Sequence, residues 1–227
     1  MKLLAIDTTE AACSAALLYD RQIIDRFILA PRRHSELVLP MMDELLHEAG
    51  VRLSQLDALA FARGPGSFTG VRIACAVVQG AATAADLPVV PVSSLLALAQ
   101  GVADADSATR VLAGFDARMQ EVYWAQCVCD AEGLMRLDGE EQVCPPQSVP
   151  PPGDGGWLGA GGAFAAYGEI LQARLGERLI GMRAEASVQA RDLVRLAARD
   201  FSAGLAVPAE RALPVYLRDQ VAKKPGE

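Results

Sequence analysis

Leu3-Leu4-Ala5-Ile6 is an unbroken apolar run closed by Asp7, and this pattern predicts a strand buried on both faces over residues 2–7. Residues 12–19 and 22–29 read as two further strands joined tightly at Asp20-Arg21, an antiparallel meander. A helical period follows over 35–49 and stops at Gly50. Then come a strand at 58–62, a glycine-rich turn from Gly64 to Gly70, a helix ending near Ala85, a strand at 88–92 and a helix opening at Ser93. The order is βββαβαβα.

That order is partly repeated. Residues 111–116 form a second predicted strand ending in aspartate, with 121–129 and 134–137 as its antiparallel successors. A proline-rich loop from Cys144 to Gly156 leads to a short strand at Trp157, a helix over 163–175, a strand near Ile180 and a helix over about 188–201. Two such halves point to an α/β, duplicated ribonuclease-H-like fold of the actin, sugar-kinase and Hsp70 (ASKHA) type. The expected units are residues 1–102 and 103–227, with the last segment able to pack back on the first.

The first two predicted helices carry more apolar surface than one core contact needs. On a helical wheel the apolar side chains of 37–49 span an arc of roughly 160°, against a little over 100° for a single packed face. Between Val71 and Ala85, polar side chains keep to one strip holding Arg72, Gln79 and Thr83. Either both helices are interior, or they meet a second chain. The second reading nominates Val38, Met42 and Leu46 as one ridge, and Ala74, Cys75, Val78 and Ala82 as a close-approach face.

Composition narrows the function classes. Of 227 residues, 52% are hydrophobic and only 5% aromatic, so the core is built from Ala, Leu and Val. A formal charge of −7 lacks the basic footprint of an independent nucleic-acid-binding module. The five cysteines show no CxxC spacing and read as reduced thiols of a cytosolic protein. The apolar run at the start breaks at Asp7, against a signal peptide, and no stretch reads as apolar and uncharged enough to cross a bilayer.

Familiar catalytic patterns fail. The only histidines, His34 and His47, are not at i, i+4 spacing, and His34 near a helix start reads as a local hydrogen-bonding residue. The turn Gly64-Pro65-Gly66-Ser67-Phe68-Thr69-Gly70 has no following Lys-Ser/Thr, so it is not a Walker motif, and it matches neither GxGxxG nor GxSxG. Its amides could still face an anion, or its glycines could let two backbones approach; both readings stand. Asp7 and Asp116 end corresponding strands, where an aspartate either holds a metal–phosphate group or starts a turn, and the turn is favoured. Glu10, Asp57 and Glu121 form no evident acid/base pair. Asp7, Gly64, Gly66, Ser67 and Gly70 are therefore the only cofactor-site candidates, with no catalytic or metal residue nominated and no cofactor expected.

The ordered blocks LAIDTT, His34-Ser35-Glu36, RGPGSFTGVR (63–72), Asp116-Ala117-Arg118 with Glu121-Val122-Tyr123, and PVYLR (214–218) resemble the TsaB family over almost the full length. The resemblance implies a non-catalytic scaffold subunit that forms homodimers and binds TsaD, with TsaE joining a larger complex and tRNA reached only through it. That complex moves a threonylcarbamoyl group to the adenosine beside the anticodon of tRNAs reading codons that start with A. It also implies a cytoplasmic protein with no membrane role. TsaD-like chains carry two metal-binding histidines just after the strand corresponding to 88–92; here that stretch reads Ser93-Ser94-Leu95-Leu96-Ala97-Leu98. The competing classes are an ASKHA-type small-molecule kinase or phosphate-binding enzyme, and, further off, a peptidase.

Overall fold

A computed structural model describes residues 1–218. Strands β1 (Leu3–Asp7), β2 (Ala12–Tyr19) and β3 (Gln22–Leu29) form the meander, with Asp7 opposite Ser14 and Tyr19 opposite Gln22. Asp20 and Arg21, the two turn residues, both have positive φ, the conformation that matches a two-residue hairpin to the strand twist. After α1 (His34–Glu48), β4 (Ala58–Ala62) adds parallel to β1; after α2 (Phe68–Ala85), β5 (Val89–Val92) adds parallel to β4. The first sheet runs β3-β2-β1-β4-β5.

Following α3 (Ser94–Asp106), the chain repeats itself with β6 (Arg110–Arg118), β7 (Glu121–Cys129), β8 (Met135–Leu137), β9 (Gln142–Cys144), β10 (Trp157–Ala160), α4 (Gly162–Leu175), β11 (Leu179–Arg183) and α5 (Ala190–Ser202). The second sheet runs β8-β7-β6-β10-β11, which is the first sheet's order position for position. This is the duplicated α/β architecture expected. The halves differ at one place. Where α1 stands in the first half, the second has β9, a 3-10 turn (Pro146–Ser148) and extended chain. Five prolines between 145 and 152 remove backbone donors and disfavour helix there.

β1 and β4 are buried on both faces. Their alternation sends Leu4, Ile6, Leu59 and Phe61 to α1 and α2, and Leu3, Ala5, Ala58 and Ala60 to the opposite side. The terminal helices are exchanged: α5, from the second half, lies across β1, β2, β4 and β5, while α3, from the first, lies on β6, β7 and β8. Ala190 N donates to Ser14 Oγ at 2.9 Å, tying α5 to β2. One apolar core thus runs through both sheets. The division expected between residues 102 and 103 falls inside α3; the change of sheet comes between β5 and β6. Beyond α5 the chain returns to the first half. Val207 bridges Val89, Ala212 is buried against α2, and Val215 N donates to Arg63 O at 2.8 Å.

Candidate functional site

β1 delivers Asp7 to the turn Thr8-Thr9. Asp7 Oδ1 accepts from Thr9 N at 3.1 Å and Thr9 Oγ1 at 2.6 Å, while Oδ2 is buried with no partner among the described residues. Burial raises its pKa to about 7 against the opposing Thr9 hydrogen bonds. Asp116 makes the same local turn in the second half, accepting from Arg118 N at 2.8 Å. Both aspartates therefore organise turns, although only Asp7 ends its strand and β6 runs two residues past Asp116, to Arg118.

The loop from Gly64 to Gly70 sits on the Thr8-Thr9 turn. Ser67 N donates to Thr9 O at 2.7 Å, and Thr8 Oγ1 donates to Gly70 O at 2.6 Å. A Cβ at Gly66 would lie 2.7 Å from Thr9 O. Gly64 alone of the three glycines has positive φ. Ser67 caps α2, its Oγ accepting from Gly70 N at 3.4 Å. The glycines thus let two backbones approach. Asp7, Gly64 and Gly70 are buried behind the surface, whereas Gly66 and Ser67 line a cleft of about 560 Å³.

Opposite them in that cleft stands the β6–β7 turn, in which Arg118, Met119 and Gln120 all have positive φ. Such conformations cost side-chain-bearing residues on the order of 1 kcal/mol each. Arg218 braces the turn, Nη1 donating to Ala117 O at 3.1 Å and Nη2 pairing with the Glu121 carboxylate. At the rim Arg72 stacks 3.5 Å above the Phe68 ring and donates from Nε to Tyr216 OH at 2.9 Å. Half-buried Glu10 also lines the cleft, its pKa raised to about 7 by burial and by nearby Asp7, against Arg118. The sequence reading saw no acid couple involving Glu10. The turn at Thr8-Thr9 folds it back toward Asp7, and its spacing of three residues from Asp7 was the available signal.

The stretch after β5 is occupied from within the chain. Ser93 Oγ donates to Glu141 Oε1, accepts from Leu96 N at 3.1 Å as the cap of α3, and Glu141 Oε2 pairs with Arg63 Nη2 at 2.7 Å. Glu141 comes from the second half and its side chain is 5% exposed. His34, the histidine read as a local hydrogen-bonding residue, lies 3.1 Å from Ala12 O through Nε2.

The nominated partner residues need correction. Val38, Met42, Ala74, Cys75, Val78 and Ala82 are all buried against β1, β2 and β4 of their own chain, and Leu46 packs partly against that core. The stripe chosen as an outer ridge is the inner one. A different stripe of α2 faces outward: Thr69, Arg72, Ala76, Gly80, Thr83 and Ala84 are exposed, flanked by half-buried Ile73, Val77 and Ala81. Nothing lies within 4 Å of where a Gly80 Cβ would be. On neighbouring α1, Leu39 is 55% exposed. α2, 18 residues long, passes a length-and-composition test for crossing a membrane, but a third of it is buried against its own sheet, as a core helix is.

Comparison with known proteins fits this architecture. The family model described as TsaD, tRNA N6-adenosine threonylcarbamoyltransferase, matches residues 28–225. The tRNA threonylcarbamoyladenosine biosynthesis protein TsaB of Escherichia coli is 41% identical, with all of both chains covered. Its namesake in Haemophilus influenzae is 39% identical over 99% of this chain and 96% of that one. The solved structure of YeaZ from Pseudomonas aeruginosa superposes with a TM-score of 0.90 at 47% identity, covering 95% of this chain and 99% of the other.

Proposed function

This chain belongs to the TsaB family of tRNA threonylcarbamoyladenosine biosynthesis proteins, and from that membership we propose that it serves the pathway as a partner-binding subunit without transfer chemistry of its own. Its part is in the threonylcarbamoyladenosine modification of tRNA. In this reading TsaD supplies the transferase site, TsaE joins the assembly, tRNA is met through the complex, and the setting is the cytoplasm. Without TsaD the chain pairs with a second copy of itself.

The outward stripe of α2 is the observation that carries the proposal. Ala76, Gly80 and Ala84 follow one another at intervals of four residues, so they form one exposed line with side chains no larger than a methyl group. A facing helix can come close to such a line, and Ile73, Val77 and Leu39 supply apolar area on its flanks. The same patch on two copies suits a twofold contact, and a TsaD surface of like shape can replace one copy. Two features support the absence of transfer chemistry. The Arg63–Glu141–Ser93 cluster fills the stretch where TsaD-like chains place metal-binding histidines, and two glycines of the 64–70 loop, Gly66 and Gly70, are committed to packing against Thr9 and Thr8. The test is a transfer assay with threonylcarbamoyl-adenylate and tRNA. The chain alone is expected to modify no tRNA, and the chain with TsaD and TsaE to do so. Transfer by the pure chain would overturn the reading.

A further inference from the structure

A second groove, of about 970 Å³, opens where α3, α5 and β3 meet the segment following β11. Ile23, Leu98, Val102 and Met182 give it apolar walls. Its arginines are already matched by acids: Arg183 with Asp106 at 2.5 Å, Arg195 with Asp104, and Arg191 3.9 Å from Asp25. Asp192 is the exception in this groove. It lines the groove, is 7% exposed, and its carboxylate makes neither a hydrogen bond nor an ion pair among the described residues. α3 is shaped around it. Gly101 lies under the carboxylate, and a Cβ there would be 2.5 Å from Asp192 Oδ2. Glycine weakens a helix interior, so its presence in mid-α3 gives room to this one group. Glu185, at the mouth, likewise has no cation partner among the described residues.

A largely buried carboxylate that meets only the water entering the groove gains from a cation or donor seated on it. The uncompensated charge in this groove is negative, and the surface around it is aliphatic. We propose that the groove binds a small aliphatic amine, with its ammonium seated on Asp192 and its hydrocarbon chain against Ile23, Leu98 and Val102. The protonation state agrees. Burial raises Asp192 to about 7; Asp104 adds to this, Arg191 and Arg195 oppose it, and Asp25 adds again. The remaining charges facing the groove are Arg183 with Asp106, and Glu185. An ammonium favours the ionised carboxylate, so binding near neutral pH releases protons. The site is independent of the partner face on α2.

The probe is 1,4-diaminobutane, titrated into the purified chain by calorimetry near pH 7, with butyrate and 1-butanol as anionic and neutral controls. The expected result is saturable binding of the diamine alone, with a heat that changes with the buffer's ionisation enthalpy because protons leave. Asp192→Asn should weaken binding at least about tenfold and remove the buffer dependence. Ala105→Trp, at an exposed position on the groove wall, should block binding while leaving the circular dichroism melt unchanged. No saturable binding at millimolar diamine, or equal binding by well-folded Asp192→Asn, would overturn the proposal.

Discussion

Thr8 donates its hydroxyl hydrogen bond to the Gly70 carbonyl at 2.6 Å, joining the end of β1 to the first turn of α2 across 62 residues of chain. The approach depends on Gly70 having no side chain, because a Cβ there would run into the Thr8 carbonyl oxygen. Gly70→Ala must therefore push two backbones apart, and it is expected to cost about 3 kcal/mol. Urea unfolding of the variant measures this. Gly66→Ala should also destabilise, through its contact with Thr9 and not through positive φ, which Gly66 does not have.

A second prediction concerns Glu141. It is the acid that ties Arg63 and Ser93 of the first half to the second. Removing it leaves the Arg63 guanidinium, itself only 22% exposed, without its partner. Glu141→Ala should lower stability by roughly 2–4 kcal/mol, and Glu141→Gln, which retains an acceptor for Ser93, by less. Paired chemical-denaturation curves give the comparison.

Asp7 makes a prediction about pH. Its folded pKa lies near 7 and its ordinary value at 3.8, so the folded chain holds a proton that the unfolded chain has released. The stabilising contribution is fully present below about pH 4 and is lost as pH rises through 7. The shift of about three units corresponds to at most on the order of 4 kcal/mol. Asp7→Asn cannot ionise, so its melting temperature should fall less than that of the native chain between pH 5 and pH 8. Melts at the two pH values check this.

Most of the fold was legible because the signals were local. The run Leu3–Ile6 closed by Asp7, the strand at 58–62 and the hairpin partner at 121–129 needed only period and turn chemistry. β9 was not legible, since three residues beside a proline-rich stretch carry no period. The exchange of α3 and α5 between sheets is a tertiary choice that no helical wheel encodes. The same limit explains the interface residues. A wheel showed that α2 is apolar nearly all round but not which side the sheet would cover, and alanines and glycine suit either side. Val71, Ala74, Val78 and Ala82 went inward; Ala76, Gly80 and Ala84 went outward. Glu10 was missed for a related reason: its three-residue spacing from Asp7 was visible, but the spacing alone does not say that the Thr8-Thr9 turn brings the two acids together.

The outward stripe of α2 can be tested directly. Gly80→Arg places a long charged side chain at an exposed position where the fold has open space, so the monomer should fold normally. Inside a close helix contact the same charge would be desolvated without a partner, at a cost of several kcal/mol. Light scattering on the native chain and on Gly80→Arg, each with and without TsaD, is the decisive measurement. The expected result is a native dimer that exchanges one copy for TsaD, and a Gly80→Arg monomer with an unchanged melt that captures none. A Gly80→Arg chain that remains dimeric and still binds TsaD would contradict the account, because it would put the partner surface somewhere other than this face of α2.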